Sequence, residues 1–262
     1  MAGFPEDPRR RRAVLVLEQH EIDKLHHSGD TEIFGDPHTH VITTLERPEP
    51  NELALSTIVD NGLDNAGTVL VQSPFNPDIY VDAEQAAEQF ALTKQTLFLN
   101  FCQLLGATRV SVRQITSEDR DKTETLKVEG GRAEMSASVK GARNESERLA
   151  ARLSLLDELE GGLPDLAGAE AFLREHRLGG DQVMRSLLQA RSAQNAIRRR
   201  TVTLNLSTEA KNSLNVAGKL QIPTVYLSCD YKKVVAERKN YELQMEVEFY
   251  TSEPLLVERG VS

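Results

Sequence analysis

The chain has 262 residues, 39% of them hydrophobic and 27% charged, with a formal net charge of -9. That length suits one large domain or two small ones, and the acidic balance argues against a general nucleic-acid binder, which needs a dominant basic field to displace counterions. The two cysteines, Cys102 and Cys229, suggest neither a disulfide framework nor a thiolate metal site and read as buried free thiols. No run approaches the ~18 apolar residues of a membrane-spanning helix, and no secretory signal is recognisable, so a cytoplasmic location is the default expectation.

Residues 1–12 are expected to form a disordered basic lead, followed by a strand at Ala13–Glu18. From Gln19 to Asn51 the chain is polar, rich in histidine and broken by Pro37, Pro48 and Pro50, with short strands around Glu32–Phe34 and His40–Thr44. Asn51–Val59 has the length of a short capped helix. The NGLDNAG that follows is turn chemistry, and Thr68–Gln72 and Ile79–Val81 are strand-like.

The long helical stretch Asp82–Leu105 organises the rest. Asp82 and Gln85 have capping-box spacing, and Gly106 supplies a left-handed stop. From Leu97 onward the apolar residues spread around the helix, which requires burial on most sides.

Beyond it, Arg109–Ile115 reads as a strand and Ser117–Lys122 as a charged turn. Thr123–Glu129 and Arg132–Lys140 read as hairpin arms joined by Gly130-Gly131. The period then turns helical over Asn144–Glu160, Asp165–Arg177 and Asp181–Arg198, each followed by a short connection. Strands return at Thr201–Leu206, Leu214–Ile222, Thr224–Asp230 and Tyr241–Tyr250. In the last, Tyr241, Leu243, Met245, Val247 and Phe249 alternate with Glu242, Gln244, Glu246 and Glu248, a core face backed by a row of acids.

The fold class that follows is α+β, with a largely antiparallel sheet built from both ends of the chain, packed on a long central helix, and a three-helix subdomain inserted. The expected boundaries are 13–142 and 201–250 for the sheet domain, 143–200 for the helical subdomain and 251–262 for a tail.

The most chemical-looking stretch is Gly35-Asp36-Pro37-His38-Thr39-His40. Two histidines one residue apart on extended chain point to the same side, so both imidazoles can reach one divalent ion. The hexapeptide resembles the first metal motif of the cyclic amidohydrolases, hydantoinase-like enzymes in which Asp-Pro-His-Thr-His ends a barrel strand. The resemblance implies His38 and His40 as metal ligands of a metal-dependent hydrolase. It stops after those six residues: that family also uses later histidines, an aspartate and a bridging lysine, and only His176 follows here. The competing reading is a polar turn with solvent-facing histidines. His20, His26 and His27 crowd the same region without carboxylates at supporting spacing.

Arg9, Arg10, Arg11 and Arg12, and Arg198, Arg199 and Arg200, are candidate contacts for an anion or an acidic partner. Their structural alternatives are a solvated tail and cations at a helix C-terminus. No phosphate-binding glycine loop or nucleophile elbow occurs, so no catalytic residue and no cofactor is expected. The alternating hairpin at 123–140 has the pattern of a half-buried sheet hairpin and also of a membrane-inserting, pore-forming one. The leading expectation is a non-enzymatic cytoplasmic interaction or assembly protein, a subunit of a larger complex that meets a protein partner or another copy of itself. The acidic strand row would be its charged surface.

Overall fold

The computed structural model describes residues 4–29, 31–44, 52–119, 122–129, 132–134, 151–154, 156–193, 196–217 and 240–251. Its first strand, β1 (Ala13–Leu17), is buried at every position, as its unbroken apolar run demands of a strand covered on both faces. β1 pairs in parallel with β2 (Thr39–Thr43) and antiparallel with β3 (Val69–Gln72), which pairs antiparallel with β4 (Tyr80–Asp82). A parallel pair needs a crossover, and α1 (Gln19–Ser28) supplies it.

The two faces of this sheet separate by residue parity. Ala13, Leu15 and Leu17 join the main core with Ile22 and Leu25 of α1. Val14 and Val16 join a smaller core with Phe4, Ile42, Tyr80 and residues of α2 (Leu53–Asp60).

The second sheet is antiparallel throughout. Its order runs β7 (Arg132–Glu134), β6 (Lys122–Glu129), β5 (Ala107–Asp119), β10 (Asn240–Phe249) and β9 (Arg199–Asn205). A short strand, β8 (Leu156–Glu158), pairs with β5 at Arg109–Ser111, along the edge that β6 occupies from Gln114 onward.

Between the sheets lies α3 (Ala86–Leu104), whose Phe90, Phe98, Phe101 and Cys102 are fully covered. The main core joins α3 to both sheets and to α4 (Leu166–Glu175) and α5 (Gln182–Ser192). A further helix, α6 (Thr208–Ala217), packs on α3 and β3.

The class is therefore α+β with mostly antiparallel sheets, and β9 and β10 do join a strand of the first half. The strands divide between two sheets, however, because α3 fills the space where one continuous sheet would have to close. Within the expected lead, Phe4 is buried, Asp7 caps a 3₁₀ turn at Pro8–Arg10, and Arg11 is buried.

Several boundaries also move. Gln19–Ser28 is helical although its histidines and charges mask the stripe, because Ile22 and Leu25 recur at helical spacing and Gly29 ends it at φ 82°. Asp82 is not the cap of α3. Its pairing with Leu70 holds it extended, and its side chain accepts from the Glu84 N–H at 2.8 Å. The strand expected to end at Ile115 runs on to Asp119, through much of the expected charged turn.

Of the helix expected over Asn144–Glu160, 151–153 are helical and 156–158 are strand, since pairing with β5 outweighs local helix preference. Residues 214–217 are helical rather than extended, following the cap that Asn205 provides to the N–H groups of Ser207 and Thr208. The second hairpin arm beyond residue 134, the strand expected at Thr224–Asp230, Cys229 and nearly all of the tail lie outside the described residues.

Candidate functional site

The histidine turn is built by local chemistry. The Asp36 carboxylate accepts from the His38 N–H at 2.8 Å, which turns the chain into β2. His38 itself is exposed and donates from Nδ1 to the Arg9 carbonyl at 3.0 Å. His40 is half-buried with its ring edge-to-face against Phe4, the centroids 5.3 Å apart. Burial, and then the nearby Arg10, push its imidazole below the ordinary value.

The other histidines are engaged one by one. His26 stacks on Phe34 at 4.5 Å, His20 meets Glu18 at 2.9 Å, and His27 Nδ1 lies 2.6 Å from the Asp23 carbonyl. His176 packs against Phe172 on α4. Among the described residues, no group of three or more His, Cys, Asp or Glu side chains is placed to hold a metal ion. The two-sheet fold around this turn is not the eight-stranded barrel that the hexapeptide's resemblance implies. A cavity of about 320 Å³ does open here, bordered by Arg10, His26, Phe34, Asp36 and His40.

The arginine runs separate on inspection. Arg11 is an internal strut: it pairs with Asp78 at 2.7 Å, bonds the Tyr80 hydroxyl at 3.1 Å and lies over the Phe4 ring. Arg9, Arg10 and Arg12 are exposed. Arg198–Arg200 do not cap a helix, because α5 ends at Ser192 and β9 begins at Arg199.

Arg199 instead reaches across to Glu248 at 2.8 Å and Glu246 at 3.8 Å, while Arg113 on β5 holds Glu246 at 3.0 Å. That hydrogen bond from Arg113 draws the Glu246 carboxyl below its usual range. Glu242 accepts from Asn205 at 3.2 Å. The acidic row of β10 is thus largely matched inside its own sheet.

What remains open is the edge of that sheet. The Leu206 N–H donates to Tyr241 and the Phe249 N–H to Arg198, so even-numbered residues of β9 bond β10 and odd-numbered ones turn their backbone outward. Thr201 and Thr203 are exposed on that outward set. Among the described residues, no strand pairs with the outer edge of β9.

The alternation of Val202, Leu204 and Leu206 marks β9 as a strand, but no local pattern says that it ends the sheet among the described residues. It also missed Lys94, buried at 3% exposure against Asp181 and Glu209. The available signal was a lone lysine between Ala91 and Phe98, a charge on an apolar face that requires partners.

No protein-family model, curated protein or solved structure matches the chain.

Proposed function

We propose that this is a non-enzymatic interaction and assembly protein, a subunit of a larger complex, which associates by adding an extended strand to the outer edge of β9. The observation that carries this reading is the edge at Thr201 and Thr203, with which no strand among the described residues pairs. Each contributes an outward N–H and C=O, and such groups form a template for another chain.

The strand we favour is β9 of a second copy. Antiparallel self-pairing about Val202 sets Thr201 opposite Thr203 and Arg199 opposite Asn205, so no like charges meet. The acidic row plays a smaller part than its sequence suggests, because Arg113 and Arg199 already occupy it.

The experiment is light scattering on the full chain over a concentration series to about 100 µM, since edge pairing alone buries little area and gives weak association. The native protein is expected to form a dimer that Thr203→Pro abolishes while the melting temperature stays near native. The Thr203 N–H faces outward, so proline there removes no bond to β10. A monomer at every concentration with no co-purifying chain, or a dimer indifferent to Thr203→Pro, would overturn the proposal.

A further inference from the structure

A cleft of about 270 Å³ lies between the first sheet and the helices, bordered by Arg12, Gln72, Ser73, Arg177, Glu209 and Ser213. Arg12 leads into β1, Gln72 ends β3, Arg177 follows α4, and Glu209 and Ser213 belong to α6. Four elements distant in sequence therefore converge on it.

Both guanidiniums are exposed and neither has a hydrogen-bond or ion-pair partner among the described residues. The Glu209 carboxylate is already held by Lys94 at 2.8 and 2.9 Å, and Lys94 also meets Asp181 at 2.9 Å. That trio carries one negative charge and the two arginines two positive ones, which leaves the cleft net positive. The hydroxyl oxygen of buried Ser73 accepts from the Phe75 N–H, so its own O–H remains a donor. The Gln72 amide nitrogen is committed to the Pro8 and Pro77 carbonyls, which leaves its oxygen as an acceptor.

The backbone at Arg177 adds an independent observation. At φ 58° it is the one non-glycine residue with positive φ among the described residues. It stands where α4 unwinds, with Leu178 N–H returning to the Leu173 carbonyl at 2.8 Å, and this position ordinarily takes glycine. Gly179 and Gly180 come two and three residues too late to fill it. A strained arginine whose side chain forms no hydrogen bond or ion pair among the described residues is not explained by stability, and strain of this kind gathers at binding sites.

We propose that the cleft binds a small phosphate monoester. Arg12 and Arg177 supply the guanidinium forks that match phosphate oxygens, and Ser73, Ser213 and Gln72 serve the hydroxyls of a polar body. Among the described residues the lining carries no aromatic ring, and its volume falls just below the ~300 to 1,000 Å³ of pockets for drug-sized ligands. Both features favour a short phosphorylated polyol over a larger apolar acid.

The test is calorimetric titration of the full chain with glycerol 3-phosphate, alongside glycerol, inorganic sulfate and the melting temperature of each variant. Glycerol 3-phosphate is expected to bind in the millimolar range or tighter and glycerol not at all. Arg177→Gly should weaken binding by about tenfold or more yet raise the melting temperature of the ligand-free protein, since it relieves the left-handed strain. Arg12→Met should weaken binding similarly without that rise.

Failure of glycerol 3-phosphate to bind, or native-like binding by Arg177→Gly, would overturn the proposal. So would sulfate binding as tightly as the ester, which would mean charge attraction alone.

Discussion

Lys94 shows how much one side chain can hold. Its side chain is 3% exposed, and its ammonium meets Asp181 at 2.9 Å and Glu209 at 2.8 Å, tying α3 to the start of α5 and to α6. Asp181 also caps α5 by accepting from the N–H groups of Val183 and Met184. Lys94→Met would leave the buried Asp181 carboxylate and the partly exposed Glu209 carboxylate unpaired and is expected to cost about 3 kcal/mol in urea unfolding. Neutralising both acids as well, with Asp181→Asn and Glu209→Gln, should recover a large part of that loss, because the unpaired charges are its source.

His40 gives a pH dependence of definite sign. Burial and Arg10 lower its folded-state value from the ordinary 6.5, so the folded imidazole stays neutral where the unfolded one takes a proton. The unfolded state then binds more protons as pH falls below 6.5, and stability falls until the lowered folded value is passed. His40→Gln is expected to flatten the drop in unfolding free energy between pH 7 and about pH 5. An unchanged slope would assign the drop to other groups.

At the scale of elements, β10 and the end of α3 carry their instructions most plainly. Tyr241, Leu243, Met245, Val247 and Phe249 are buried as their alternation requires. Gly106 takes φ 77° after α3, and the carbonyl of Gly162 packs against the place where a side chain would begin. The close approach makes this glycine doubly necessary. Gly106→Ala is expected to cost at least about 2 kcal/mol, from left-handed strain together with displacement of the Gly162 backbone. A melting temperature within a degree of native would refute that account.

Where elements were misplaced, a long-range partner had changed the local outcome. Pairing with β3 delayed α3, pairing with β5 turned 156–158 into strand, and pairing with β10 carried the strand expected from Thr201 back to Arg199.

At the scale of the whole molecule, the main core joins both sheets through α3, and α4 and α5 bury Leu173, Met184 and Leu187 in that same core. Arg191 adds a polar joint by bonding the carbonyls of Leu105, Ile197 and Tyr250 while lying over Phe249. Among the described residues, no helix is long and apolar enough to cross a membrane. Of the hairpin whose alternation also fits a membrane-inserting one, β6 and β7 pair as a sheet extension, with Val128 buried.

The sequence by itself determined the class of the fold, most strand positions and the long apolar helix, because periodicity and glycine stops act over a few residues at a time. It also offered Arg12 as an anion contact, though among six other arginines of equal standing. Only the tertiary structure decided that the strands form two sheets, that Arg11 is a buried strut while Arg12 borders a cleft, and that the acids of β10 are already paired. It likewise decided that, among the described residues, β9 ends its sheet and that Arg177, unremarkable in sequence, borders the same cleft as Arg12, 165 positions away. Those outcomes depend on which groups converge in space, and a local pattern carries no record of its distant partners.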